Sequence, residues 1–318
     1  MQRKHFFKTL SAIAILAASV AHAQGDGSYK LIVPFAAGGP ADQIARIIVQ
    51  PLSAQLGKPV IIDNRGGAGG VIGVGIAAKA PADGMTLLLT TSSYVITAGT
   101  TPRLPYNPRK DFEPLYLLGE VQTMLAVRPS LGVNTLAELV AKAKGPNKLN
   151  YGSTGVGGTM HIGAELFSKA AGAPMVHIPY RGAAPALVDL MGGTVDLVNA
   201  DVPVLQPYVK DGRLKALVIF DTQRSPLLPD VPTAAEAGMP SLLMTNWYGV
   251  LAPAAAPVDM RNKVEAALAA VVRQPEVAAR LADAGFSHPR DHAGFKKRLD
   301  ADFDRWLPWL KEANIQTE

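Results

Sequence analysis

The sequence predicts an α/β protein of two lobes joined by a hinge, and three observations carry that expectation. The chain has 318 residues, about twice the length of an ordinary domain. Short β-branched or leucine-rich runs alternate repeatedly with helical patterns, the order that builds parallel sheets with right-handed crossovers. One further strand pattern, Trp247 to Ala252, comes after two such series and leads into purely helical sequence, so the chain crosses between lobes twice. The expected division is 24–123 together with 247–318 as a discontinuous first domain, and 124–246 as the second.

In the first lobe Tyr29 to Phe35 reads as a strand, followed by a Gly-Gly-Pro turn and a helix with Ile44, Ile47 and Ile48 on one face. Pro51 is expected to kink or end that helix. Val60 to Ile62 is a second strand, leading through Asn64-Arg65-Gly66-Gly67-Ala68-Gly69-Gly70 into a helix of small residues. Met85 to Thr91 is a third. The stretch from Thr100 to Pro114, rich in Pro, Asn and Arg, reads as irregular surface chain, and Thr123 to Val127 as the strand leaving the lobe.

The second lobe opens with Thr135-Leu136-Ala137-Glu138, a capping-box pattern. Strands at Leu149 to Ser153, Met175 to Pro179, Val195 to Val198 and Leu214 to Phe220 alternate with helices starting near Thr159, Ala183 and Val202. After the returning strand, helices are expected over 257–270, 275–284 and about 291–312. In the last, Phe295, Leu299, Phe303, Trp306 and Leu310 recur every three to four residues as a packing stripe.

The first 23 residues have the pattern of a secretory signal peptide. Arg3, Lys4 and Lys8 precede an apolar run from Leu10 to Val20, and Ala21-His22-Ala23 is an A-x-A cleavage site. The run is too short to span a bilayer, which takes roughly 20 residues. Cleavage before Gln24 removes three of the 31 basic residues and none of the 26 acidic ones, so the formal charge falls from +5 to +2. The densest remaining cluster, Lys296-Lys297-Arg298, is too small for a nucleic-acid footprint. Cysteine is absent, which excludes disulfides, thiolate metal sites, a Cys nucleophile and a lipid anchor. The expected location is the bacterial periplasm, without a membrane anchor.

Two glycine-rich turns stand out by position. Phe35-Ala36-Ala37-Gly38-Gly39-Pro40-Ala41-Asp42 follows the first strand and opens a helix, and Thr154-Gly155-Val156-Gly157-Gly158-Thr159-Met160-His161 is placed the same way in the second lobe. A helix N-terminus leaves backbone N–H groups unpaired and carries partial positive charge, and glycine lets a ligand approach without a Cβ in the way. Each turn is therefore a candidate anion site, and the two would face one cleft. Asp42 is either a first-turn carboxylate favoured by the helix dipole or a brace for its loop. His161 is either a polar wall of the cleft or a hydrogen-bonder at the helix end. Arg181 could meet a ligand carboxylate or pair on the surface. Asp201, closing a strand, could hold a ligand amine or hydroxyl. Trp247 and Tyr248 read as hinge packing first and ligand contacts second.

Other chemistries fail on detail. No phosphate-binding G-x-x-x-x-G-K-[ST] occurs, and Gly73-Val74-Gly75 lies inside a helix pattern rather than after a strand. G-x-S-x-G is absent, and His161 with Glu165 lacks a third metal ligand. No cofactor and no metal is expected. The alternative function is an exported hydrolase acting on esters of small organic acids, with Ser153 or Ser92 beside His161 as its loose nucleophile–base pair.

Taken together, Val33-Pro34-Phe35-Ala36-Ala37-Gly38-Gly39, Asp42 with Arg46, Asp63-Asn64-Arg65 with Gly67 to Gly70, Asp83-Gly84-Met85-Thr86-Leu87, Gly152-Ser153 through His161, Pro179-Tyr180-Arg181-Gly182, and Leu228-Pro229-Asp230-Val231-Pro232-Thr233 with Glu236-Ala237-Gly238 closely resemble the Bug family. These are the TctC-like solute receptors of tripartite tricarboxylate transporters, and the resemblance covers residues 29–310. It implies a two-lobed periplasmic-binding-protein (Venus flytrap) fold without catalysis, working as a monomer with a membrane permease of that type or a sensor. It also implies a small organic acid pinched between the two turns. By position the ligand contacts are Phe35, Ala36, Ala37, Gly38, Gly39, Asp42, Ser92, Thr154, Gly155, Gly158, Thr159, His161, Arg181 and Asp201. The sequence departs at Ala41, where many relatives carry Thr or Ser, and lacks their asparagine within 92–101.

Overall fold

Nine strands and ten α-helices are arranged as two lobes in the computed structural model, which describes residues 27–316; the expected leader and the cleavage expected after Ala23 lie outside the described residues. In the first sheet, β1 (Tyr29–Val33) lies between β2 (Val60–Asn64) and β3 (Thr86–Thr91), all parallel. Then β9 (Thr245–Pro253) joins antiparallel to β3, and β4 (Phe112–Val127) antiparallel to β9.

Strand β4 is 16 residues long and changes partners along its length. From Phe112 to Gln122 it pairs with β9; from Thr123 to Val127 it pairs with β7 (Leu197–Asp201) and β8 (Lys215–Ile219). The second sheet continues in parallel from β7 to β5 (Asn150–Ser153) and β6 (Val176–Pro179). The sequence shows only the last third of β4 as strand. Pro114 and Gly119 interrupt its apolar pattern, and the ladder absorbs them by shifting register between Pro114 and Tyr116 and between Leu117 and Gly119.

Helix α1 (Pro40–Leu56) begins with proline at N1, where the missing N–H is harmless, and ends at Gly57 in the left-handed region. Of the two outcomes expected at Pro51, a kink or an end, the helix does not end there. Ile48, Leu52 and Leu56 lie on both sides of the proline and are buried in one core, and this packing outweighs a penalty of about 3 kcal/mol. After β2 come a short 3-10 turn (Ala68–Gly70) and α2 (Val71–Ala78). The next helix, α3 (Ser93–Thr100), is not anticipated by the sequence pattern.

In the second lobe α4 (Leu136–Ala143) is capped by the Thr135 side chain, which accepts from the Glu138 N–H as the capping box requires. There follow α5 (Thr159–Ala171), α6 (Ala183–Gly192) and α7 (Val202–Lys210). Helices α8 (Val258–Val272) and α9 (Pro275–Asp283) cover the first sheet beside α1. The last helix, α10 (His292–Glu312), packs on the opposite face. Its stripe Phe295, Leu299, Phe303, Trp306 and Leu310 is fully buried, and Trp247 donates its indole N–H to Asp302 at 2.7 Å. No described helix is long and apolar enough to cross a membrane.

Candidate functional site

The β1–α1 and β5–α5 turns are built alike. Gly38 and Gly157 have φ of +79° and +77°, a conformation that costs an L-residue about 1–2 kcal/mol. The next residues, Gly39 and Gly158, are extended helix N-caps without a side-chain cap. The first-turn N–H groups of Ala41 and Asp42, and of Thr159, Met160 and His161, therefore have no intrahelical acceptor. In each turn the side chain four residues on receives the N–H of the left-handed glycine. Asp42 Oδ2 accepts from Gly38 at 2.9 Å, and His161 Nδ1 accepts from Gly157 at 3.3 Å.

The two braces differ in charge. Burial works to raise the Asp42 carboxyl, but hydrogen bonds from Arg46 (2.8 Å) and from Gly38 outweigh it and hold it below the ordinary range. His161 is neutral, its pKa pushed down to about 3 by burial and by His177. The two imidazoles stack with centroids 4.2 Å apart, and burial brings His177 down to about 4. His177 Nε2 meets Ser153 Oγ at 2.6 Å, and that oxygen also accepts the Gly155 N–H at 3.0 Å. The second turn thus rests on a stack of uncharged rings.

Between the lobes lies a cavity of about 770 Å³. Of the fourteen sequence-derived positions, Phe35, Ala36, Gly39, Thr154, Gly155, Gly158, Thr159, Arg181 and Asp201 line it. Ala37, Gly38, Asp42, Ser92 and His161 do not: Asp42 and His161 hold the turns from behind. Ser92 is buried, its hydroxyl 2.5 Å from Asn246 Oδ1, while its neighbours Thr91 and Ser93 reach the wall. The sequence reading misses the loop Gly66 to Gly70, which forms much of the first-lobe wall, and also Asn246 on β9; Tyr248, read as hinge packing first and ligand contact second, lines the cavity too. The run of glycines after β2 is the signal that could have flagged that loop.

Two lining residues carry charge. Arg181 is exposed and makes no ion pair among the described residues. Asp201 is 8% exposed; it accepts from Tyr248 OH at 2.6 Å and from Asn246 Nδ2 at 3.1 Å. Burial raises its pKa to about 6 against the pull of those bonds, so it is an anion at neutral pH. Asn246 links it onward to Ser92, a chain of hydrogen bonds running from β7 through β9 to the start of α3.

The lobes touch across this cavity. A methyl group on Gly157 would lie 2.5 Å from Thr100 Oγ1, and one on Gly69 would lie 3.2 Å from the Val156 carbonyl oxygen. Neither pairing with His161 expected of a hydrolase is formed: Ser153 meets His177 instead, and Ser92 meets Asn246. A second hollow, about 860 Å³, lies on the second lobe between α4, the end of α7 and residues 230–237; the glycine in its wall, Gly212, follows a helix rather than opening one.

Two α/β lobes whose helix N-termini converge on a shared cleft define a solute-binding protein of the Venus flytrap type. Residues 44–315 match the tripartite tricarboxylate transporter family receptor model, TctC, and the chain belongs to that family, whose members are binding receptors and not enzymes. It is 39% identical over 227 residues to protein BugT of Bordetella pertussis, covering 70% of each chain. Among solved structures it is similar to Rhodopseudomonas palustris MatC with bound malate, with a TM-score of 0.83 and 31% identity over 89% of this chain and 98% of that one. It is likewise similar to R. palustris Rpa4515 with adipate, with a TM-score of 0.85 and 32% identity over 91% and 98%.

Proposed function

We propose that the protein is a periplasmic receptor that captures a small organic acid between its lobes and presents it to a membrane permease of the tripartite tricarboxylate type or to a sensor. The observation that carries this reading is the pair of matching glycine turns on opposite walls of one cavity. A carboxylate seated between them would receive N–H donors from both lobes, which only an approach of the lobes brings together. Shielding from water strengthens such charge-assisted bonds. The contacts assigned to the ligand are Phe35, Ala36, Gly39, Thr154, Gly155, Gly158 and Thr159, with Arg181 available to a second acidic group. Malate in MatC and adipate in Rpa4515 support a small carboxylate as the cargo. The lobes are taken as 24–123 with 247–318, and 124–246, in keeping with the change of β4 partners at Gln122 and Thr123. The mature chain acts as a monomer, released by cleavage after Ala23.

A thermal-shift panel of mono-, di- and tricarboxylates, amino acids and aromatic acids tests the proposal. An acid present at about 100 times its Kd adds roughly 2.7 kcal/mol, which raises Tm by several degrees. A panel in which no acid moves Tm overturns it.

A further inference from the structure

Asp201 is an anomaly in a cavity built for an acid. Its carboxylate is buried at the C-terminal end of β7, among the lining residues, and makes no ion pair among the described residues. Its protein donors are one amide and one phenol: Asn246 Nδ2 bridges both oxygens at 3.1 and 3.2 Å, and Tyr248 OH reaches Oδ2 at 2.6 Å. A carboxylate accepts about four hydrogen bonds, so Oδ1 keeps capacity. Tying β7 to β9 does not call for a charge, because the single oxygen of an asparagine could accept from both donors. An uncompensated buried anion is costly, and beside a bound carboxylate it is also repulsive. Those penalties are offset if the ligand itself brings a donor to Oδ1.

Resting on the receptor reading above, we propose that Asp201 recognises a hydrogen-bond donor on the carbon skeleton of the ligand, a hydroxyl or an ammonium. The receptor then selects a hydroxy- or amino-substituted acid over the unsubstituted acid of the same length. The turns bind what all such acids share, and Asp201 supplies the discrimination. A site whose buried polar group is left unpaired rejects the analogue that lacks its partner.

The test uses titration calorimetry at neutral pH on the full mature protein and on Asp201→Asn, with matched sets of acids. Succinate, malate and aspartate form one set; glutarate, 2-hydroxyglutarate and glutamate a second; butyrate, 2-hydroxybutyrate and 2-aminobutyrate a third. In the set that binds, a substituted acid should bind roughly 10- to 100-fold more tightly than the plain one. Asp201→Asn should collapse that ratio while binding the plain acid as tightly or more tightly. The hydroxy and amino arms show which donor is read. Equal affinity across a set in the wild type, or an equal loss for all its members in the variant, overturns the role of Asp201 and leaves the receptor reading standing. Binding by none of the acids, and no shift in the wider panel, overturns both. If Asp201→Asn does not fold, Asp201→Ser takes its place, with the same expected collapse of the ratio and the same overturning result.

Discussion

Gly157→Ala separates closure from ligand contact, because Gly157 touches the opposite lobe without lining the cavity. Two effects follow from the structure. The left-handed φ of +77° costs an alanine about 1–2 kcal/mol whether or not ligand is present. That lowers the Tm of the apoprotein by a few degrees, at about 2–4 °C per kcal/mol for a chain of this size class. The second effect belongs to the closed state: the new methyl lies 2.5 Å from Thr100 Oγ1 on α3. Overpacking of this kind costs about 1–3 kcal/mol, which weakens Kd roughly 5- to 150-fold. Calorimetric titration gives Kd, and scanning calorimetry gives the apoprotein Tm. Adding Thr100→Ala removes the obstructing oxygen, so the double variant should recover affinity but not the apoprotein Tm. Wild-type affinity in Gly157→Ala would show that the ligand-bound lobes do not meet at this contact.

Two further outcomes follow. Gly39 has an ordinary φ of −77° and lines the cavity, and a Cβ there lies 3.3 Å from the Ala36 carbonyl oxygen, so Gly39→Val should keep the apoprotein Tm within a few degrees and abolish the ligand-induced shift; unchanged affinity would remove that turn from the site. The pH dependence of stability is set partly by three buried groups. His161 and His177, with pKa values of about 3 and about 4, stay neutral in the fold while the unfolded chain takes up protons below about 6.5, so stability falls on acidification through that window. Asp201, near 6, acts oppositely, gaining its proton in the fold first. Between about pH 4 and 6 the two histidines outweigh Asp201, so acidification leaves a net loss of stability, and the loss is steeper in Asp201→Asn. Urea titrations across that range check the slope, and a flat profile refutes the neutral histidine stack.

The alternation of elements and both glycine turns were legible because each is local, set by periodicity and by glycine at a strand–helix junction. Asp42 could be read as a brace because its partner Gly38 is four residues away. The far wall could not be read in this way. Thr91, Ser93, Asn246 and Tyr248 come together only because β3 and β9 are neighbours in the sheet, a pairing between segments more than 150 residues apart. Choosing Ser92 over Ser93 is the same difficulty in miniature, since at the end of a strand adjacent residues face opposite ways and only the partner strand decides which is inside. The helix at Ser93–Thr100 was hidden by β-branched and hydroxyl residues of low helix propensity; its burial against α10 overrides that preference.

The passage of β4 from one sheet to the other has a mechanical consequence. A strand of 16 residues extends roughly 50 Å, and it belongs to both halves at once. The jaws are therefore leaves of one continuous ribbon, whose pairing is irregular near Gly119. A protease finds no slack tether there whose cutting would free two intact halves. Neither half could be transplanted alone, because each would leave with half a strand and an open edge.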